Sequence, residues 1–170
     1  MNHIVLYAPE IPQNTGNIMR TCVATNTILH LIEPIGFSLE AKYLKRSAAN
    51  YLEHLKYNVY ESFEAFLSKN QGAMYFLTRY GEKSPDQFDF NQDNQDVYLI
   101  FGSESSGIPK ELLKSQLEYC MRLPMSDKVR SLNLSNTAAI LIYEVLRQQG
   151  YPELIKHEPD TLKGKDYLKK

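Results

Sequence analysis

Apolar positions fall along this chain in two alternating rhythms, short continuous runs and longer stretches with helical spacing. Ile4-Val5-Leu6-Tyr7 is a continuous apolar run closed by Pro9 and Pro12, which predicts a strand buried on both faces. Thr15 to Thr25 follows with Ile18, Met19, Cys22 and Val23 on one helical face, and Asn14 or Thr15 is placed to cap it. Ile28 to Ile32 predicts a second strand, ended by Pro34 and Gly36, and a charged helix is expected from Leu39 to about Ala48. Val59-Tyr60 suggests a short strand, and Ser62 can cap a helix carrying Phe63, Phe66 and Leu67. Ala73 to Thr78 and Val97 to Phe101 predict strands joined by a polar, turn-rich connection over 81–95. Pro109 is placed to open a helix through Leu113, and Tyr119 to Leu123 predicts one more strand. The strongest helical spacing joins Leu134, Ala138, Leu141, Ile142, Val145 and Leu146, with Gly150 and Pro152 as its stop.

Strands alternating with helices imply an α/β fold, a mainly parallel sheet with helices on both faces. There is no internal repeat and no linker, so the expected organisation is one domain over 1–155 and a short polar tail over 156–170. A length of 170 residues suffices for a real core, and 43% hydrophobic with 23% charged residues describes an ordinary globular chain. No basic segment precedes a long apolar stretch at the N-terminus and no run approaches a membrane span, so a cytoplasmic protein is expected. Cys22 and Cys120 make neither a disulfide framework nor a metal motif and are expected to be buried thiols.

The net charge of −1 argues against binding nucleic acid through bulk charge. It leaves room for a local patch: Lys42, Lys45, Arg46, His54 and Lys56 lie close in sequence, while the lysines of the tail are balanced by acids. No G-x-G-x-x-G follows the first strand, no phosphate-loop motif occurs anywhere, and no H-E-x-x-H or paired-cysteine spacing offers a metal site. The four histidines are scattered, and Asn133-Leu134-Ser135 matches a glycosylation sequon that has no secretory context.

Three polar segments stand out, each just after a predicted strand, where the carboxyl ends of parallel strands gather ligands. They are Pro12-Gln13-Asn14-Thr15-Gly16-Asn17-Ile18-Met19-Arg20, then Phe101-Gly102-Ser103-Glu104-Ser105-Ser106-Gly107-Ile108-Pro109, then the long stretch from Leu123-Pro124-Met125 through Arg130-Ser131-Leu132-Asn133-Leu134-Ser135-Asn136. Glycine and serine after an apolar strand allow backbone to approach a ligand closely, and the last helix offers free N–H groups at its start. Singly, each segment is equally a capped helix start or a strand-to-helix turn.

Together and in this order they resemble the three signature motifs of the SPOUT methyltransferase superfamily, and the resemblance spans nearly the whole chain. The opening Ile4 to Ile18 and the segment His30-Leu31-Ile32-Glu33-Pro34-Ile35-Gly36-Phe37 look like its small single-domain branch, tRNA (cytidine/uridine) 2′-O-methyltransferases acting at the wobble nucleotide. The resemblance implies a deep C-terminal trefoil knot, an obligate homodimer, S-adenosylmethionine as methyl donor, the tRNA anticodon stem-loop as substrate, and no metal. It implies that Leu77, Thr78, Gly102 and Glu104 contact the cofactor, with Gly107, Leu123 and Met125, and with Ser131, Leu132 and Asn133 from the third segment. Arg20 is implied as the catalytic arginine, with Asn14 and Glu104 beside it. Ser105-Ser106 departs from branch members that carry an Arg there.

A guanidinium stays protonated at ordinary pH, so Arg20 is read first as a group that orients the ribose and stabilises a developing alkoxide. Glu104 and an RNA phosphate are alternative proton acceptors. A ribosomal RNA 2′-O-methyltransferase and a non-catalytic RNA-binding module are the competing readings. A chain starting directly at its first strand favours tRNA over rRNA. Ile140 and Tyr143 lie off the main stripe of the last helix, which is expected of a dimer face.

Overall fold

The computed structural model describes residues 1–39, 51–91 and 94–169. Six strands form one sheet: β1 (Asn2–Tyr7), β2 (Ile28–Ile32), β3 (Tyr57–Tyr60), β4 (Ala73–Leu77), β5 (Val97–Phe101) and β6 (Cys120–Met121). Their order is β3-β2-β1-β5-β4-β6. Every pairing is parallel, with Val5 of β1 opposite His30 of β2 and Ile100 of β5.

Both faces of this sheet are covered, which is why its strands read as continuous apolar runs. On one face Ile4, Leu6, Leu29, Leu31, Leu99 and Phe101 pack under α1 (Pro12–Ala24) and α4 (Leu134–Gln149), through Ile18, Met19, Cys22, Leu141, Ile142 and Val145. On the other, Val5, Ile32, Phe76 and Ile100 pack under α2 (Phe63–Leu67) and α3 (Lys110–Lys114), through Phe63, Phe66 and Leu113. Residues four to six of β1 have no exposed surface at all. Burying such side chains supplies about 1.5–3 kcal/mol each relative to leaving them in water.

The helix ends show where sequence reading and structure part. Ser62 caps α2 as expected, accepting from Ala65 N–H at 3.1 Å. Gly150 ends α4 in the left-handed region at φ 75°, also as expected. Helix α1, however, starts at Pro12 rather than Thr15, so Asn14 and Thr15 are buried inside it and neither is its cap. Pro109 precedes α3 as its cap residue instead of occupying the first helical position. The predicted strand Tyr119–Leu123 shrinks to Cys120–Met121, because residues 117–119 turn in a 3₁₀ helix. The expected helix from Leu39 to Ala48 lies outside the described residues, Leu39 apart. Cys22 and Cys120 are buried free thiols, and burial pushes the Cys22 thiol up to about 12.

The topology decides where a ligand can sit. From β1 the chain moves to β2 and β3 on one side, and it returns later through β5 on the other. β1 and β5 are therefore neighbours whose following loops run apart. That is the switch point at which open parallel sheets bind ligands. Among the described residues no helix is long and apolar enough to cross a membrane.

Candidate active site

At the carboxyl edge of β1, β4, β5 and β6 lies a cleft of about 680 Å³, within the usual range for a small-molecule site. Its walls come from the loop after β4, the loop after β5, and the stretch between β6 and α4.

The loop after β5 is folded back on itself. Gly107 N–H donates to Ser103 C=O at 2.9 Å, and the Ser103 and Ser106 hydroxyls meet at 2.7 Å. A Cβ on Gly102 would stand 2.1 Å from Gly107 C and 2.2 Å from Ile108 N, so no larger residue fits without moving backbone. Gly107 adopts φ +70°, the left-handed region that favours glycine. The two glycines thus serve different needs, one of space and one of conformation.

Glu104 leaves this loop and reaches the start of α1, which has no side-chain cap of its own. Its Oε2 accepts from Glu10 N–H at 2.9 Å, and its Oε1 accepts from Ile11 N–H at 3.1 Å and Asn14 Nδ2 at 3.2 Å. A carboxylate here also meets the positive end of the α1 dipole. Glu10 returns the favour, accepting from Ser105 N–H at 3.2 Å and Ser105 Oγ at 2.6 Å. The chain of bonds continues into the third segment, where Asn133 Nδ2 donates to Asn14 Oδ1 at 3.0 Å. Asn133 Oδ1 then caps α4 by accepting from Ser135 N–H at 2.9 Å and Asn136 N–H at 3.3 Å. Three segments far apart in sequence are locked into one rigid arrangement beside the cleft.

Nearly every residue singled out from the sequence meets here. Leu77, Thr78, Gly102, Glu104, Gly107, Leu123, Met125, Ser131, Leu132 and Asn133 all line the cleft, and so does Asn14. Arg20 does not. It lies on the exposed face of α1 with Asn17 and Ala24, its guanidinium 5.7 Å from the Tyr51 ring centroid. Because α1 begins at Pro12, Arg20 sits eight residues along it, about 12 Å and just over two turns, rather than one turn from the start.

Sequence reading assigned no role to a cluster at the mouth of the cleft, Arg79, Tyr80, Arg122 and Arg130, although Arg130 lies within the third polar segment. Arg79 and Tyr80 follow β4 and Arg122 follows β6, and only the sheet order brings them to a common edge. Its lining is mixed, with leucine and methionine side chains facing serine, asparagine and main-chain groups. That mixture suits a neutral nucleoside with a short polar chain better than it suits a polyphosphate, for which no glycine-rich anion loop is present among the described residues.

Comparison with known proteins gives a consistent picture. The family model described as the SpoU rRNA Methylase family matches residues 1–143. A Bacillus subtilis (strain 168) protein provisionally named tRNA (cytidine(34)-2′-O)-methyltransferase is 51% identical over 153 residues, covering 89% of this chain and 96% of the relative. A crystal structure of a provisionally identified RNA methyltransferase from Bacillus anthracis superposes with a TM-score of 0.86 at 54% identity, over 91% of this chain and 98% of that one. A structure described as giving insights into the 2-OH methylation of C/U34 on tRNA superposes with a TM-score of 0.81 at 39% identity, over 88% and 97%.

Proposed function

The chain belongs to the SpoU rRNA methylase family, and from that membership we propose that it methylates the ribose 2′-hydroxyl of the wobble nucleotide, cytidine or modified uridine, of tRNA in the cytoplasm. The observation that carries this reading is the convergence of all three polar segments on one cleft, locked together through Glu104, Asn14 and Asn133. Relatives about half identical over nearly the whole chain carry the tRNA wobble-position name, which favours tRNA over rRNA as substrate.

S-adenosylmethionine fits the cleft by its size and mixed lining, and when bound it supplies a methyl group already activated on a sulfonium. Leu77, Leu123, Met125 and Leu132 are placed to cover its apolar surfaces, and the folded-back Gly102–Gly107 loop to present backbone close to it. Glu104 acts in this reading as a positioning residue: its carboxylate is committed to three donors and holds the start of α1 against the cofactor loop. Arg20 holds the ribose or its adjacent phosphate and stabilises the alkoxide as the hydroxyl proton passes to an RNA phosphate, Glu104 being committed to its three donors.

Since Arg20 does not line the cleft of its own chain, the reading also requires a homodimer. The exposed stripe Asn17, Arg20 and Ala24 of α1 adjoins the exposed stripe Asn136, Ile140, Tyr143 and Arg147 of the neighbouring helix α4. Ile140 and Tyr143 are 47% and 48% exposed, a surface suited to a second copy that would place its Arg20 at this cleft. A C-terminal knot belongs to the same reading. The segment 78–83 wraps the end of β6, with Thr78 N–H donating to Met121 C=O and Arg122 N–H to Lys83 C=O, before the chain turns back to α4.

The test is methyl transfer to purified tRNA with mapping of the product. A single 2′-O-methyl group at the wobble nucleotide is expected. Transfer to ribosomal RNA instead, or to neither, would overturn the reading. Arg20→Ala should slow single-turnover transfer about a hundredfold while cofactor affinity stays near wild type. Mixing Arg20→Ala chains with Gly102→Ala chains should restore activity, because a mixed dimer contains one intact cleft faced by one intact Arg20. No recovery after verified subunit exchange would refute the shared site.

A further inference from the structure

Tyr80 is the most exposed large hydrophobic side chain at the cleft, 71% exposed, yet it is not loosely held. Arg79 Nη2 donates to Tyr80 Oη at 2.6 Å, and the Arg79 guanidinium lies 4.9 Å from the ring centroid. Tyr80 N–H donates to Thr78 Oγ1 at 3.3 Å. The main chain beneath is pinned as well. Arg122 Nη1 donates to Arg79 C=O at 3.3 Å, and Arg122 N–H donates to Lys83 C=O at 2.9 Å. Gly81 is pressed so close to β6 that a Cβ there would stand 2.4 Å from Met121 C.

An aromatic ring is therefore held in water at the mouth of the cleft with a guanidinium against it. Around it the segments 78–83 and 122–133 carry Arg79, Lys83, Arg122, Lys128 and Arg130 against only Glu82 and Asp127. Arg130 is exposed and, among the described residues, has no hydrogen-bond or ion-pair partner. In a chain of net charge −1 this is a local concentration of positive charge. Bases stack on exposed aromatic rings and on guanidinium planes, while free arginines take phosphates.

We propose that Tyr80, with Arg79, Arg122 and Arg130 around it, is the platform that holds the substrate RNA at the mouth of the cleft: a nucleobase stacks on the Tyr80 ring and the guanidiniums take the adjoining phosphates. The proposal rests on the RNA-methylating reading above and names where that RNA is gripped. Arg79 braces the ring from one side, so its loss acts through Tyr80. Arg130 acts on phosphate directly and without regard to sequence.

The test titrates the full-length protein with an in vitro transcribed tRNA carrying cytidine at the wobble position, at several salt concentrations, and separately with S-adenosylmethionine. Tyr80→Ala should weaken RNA binding about five- to a hundredfold, the range for losing one stacked base. Tyr80→Phe should bind like wild type, since the ring is what stacks. Arg130→Ala should lower the slope of log affinity against log salt by about 0.7 to 0.9, the signature of one lost phosphate contact. Cofactor affinity should be unchanged in all three. Wild-type RNA affinity in Tyr80→Ala, or a wild-type salt slope in Arg130→Ala, overturns the proposal. So does a loss of cofactor affinity with RNA binding intact, which would make these residues part of the cofactor's own site. Failure of the methylation reading shows differently, as a wild-type protein that transfers no methyl to tRNA whatever the variants bind.

Discussion

Two of the polar networks among the described residues differ in almost every physical respect. One is the carboxylate and amide cluster at the carboxyl edge of the sheet, Glu104, Asn14, Asn133 and Glu10, built from loops and bordering a cleft. The other lies inside the layer between the sheet and α2. There His3 Nδ1 and His30 Nε2 are 2.9 Å apart, His30 Nδ1 is 3.0 Å from Tyr60 Oη, and Asn70 Nδ2 donates to that hydroxyl at 3.2 Å. His3 stacks on Tyr98 with centroids 4.1 Å apart, and Phe66 closes on His30 edge-on. The first network takes up backbone N–H groups that the helix starts leave unpaired and faces a space that can hold a ligand. The second joins buried side chains to one another, with His3 Nε2 left 3.4 Å from Asp96 Oδ2 at its edge. Polarity at the switch point of a parallel sheet is organised around a space that can take a ligand, whereas polarity between the layers is organised among its own members.

The sharpest way to break the first network while sparing the second is Gly102→Ala. Its methyl would collide with the Gly107 backbone at 2.1 Å, and neither chain segment is a flexible side chain that could yield. Cofactor affinity should fall by about a hundredfold or more, and calorimetry on a protein with wild-type circular dichroism checks it. Near-normal cofactor binding would show that the folded-back loop is not the cofactor's wall. A smaller loss is expected from Glu104→Gln, which turns a carboxylate accepting three hydrogen bonds into an amide that offers donors to donors. Methyl transfer should drop roughly ten- to hundredfold, the scale for a charge-assisted hydrogen bond. Because Glu104 acts through α1 and Asn14, the loss should appear in the rate of transfer more than in cofactor affinity. A pure loss of cofactor affinity would reassign it to direct contact.

The two networks also differ in how far the sequence announces them. Continuous apolar runs and the stripe Leu134 to Leu146 are local signals, and the strands and α4 followed them closely. The motif loops were legible because glycine, serine and asparagine cluster immediately after strands, and their resemblance to one family named half of the residues that line the cleft. The start of α1 was misread because its cap is Glu104, more than ninety residues away, so no local capping signal exists. Arg79 and Tyr80 escaped notice because they fall between a predicted strand and a generic polar connection, and only the placement of β4 between β5 and β6 turns them toward the cleft. His3 and His30 read as scattered histidines. Their meeting depends on β1 and β2 pairing in parallel with His3 opposite Ile28, a register no local pattern specifies. Arg20 marks a further limit, since its motif is plain while its side chain is exposed and does not line the cleft.

The buried network should sharpen the contrast by being silent at neutral pH and costly in mild acid. Burial lowers the His30 pKa to about 4, with the charge of His3 adding to the effect, and burial lowers His3 as well against the opposing pull of Asp96. With both imidazoles neutral, a consistent chain of donors runs from Asn70 through Tyr60 and His30 to His3, and protonating His30 removes the acceptor of the Tyr60 hydroxyl proton. In the unfolded chain both histidines titrate near the ordinary 6.5. Above that value neither state binds the extra proton and stability does not change. As pH falls from about 6.5 toward 4 the unfolded chain takes up protons that the folded one refuses, so stability is lost across that window, on the order of 2–3 kcal/mol. Asp96, held low chiefly by its hydrogen bond to the Met1 amino group, and Glu144, held low chiefly by its hydrogen bond to Arg147, add their losses only below the ordinary carboxylate range. Urea midpoints measured from pH 7.5 to 4.5 should therefore hold steady and then fall, and His30→Gln, which keeps a polar side chain but cannot titrate, should flatten that fall whatever its own cost at pH 7.5. A wild-type midpoint that stays level between pH 6.5 and 5, or a variant that falls as steeply as wild type, would mean that the sealed network admits protons as readily as water does, and the distinction between the two networks would fail.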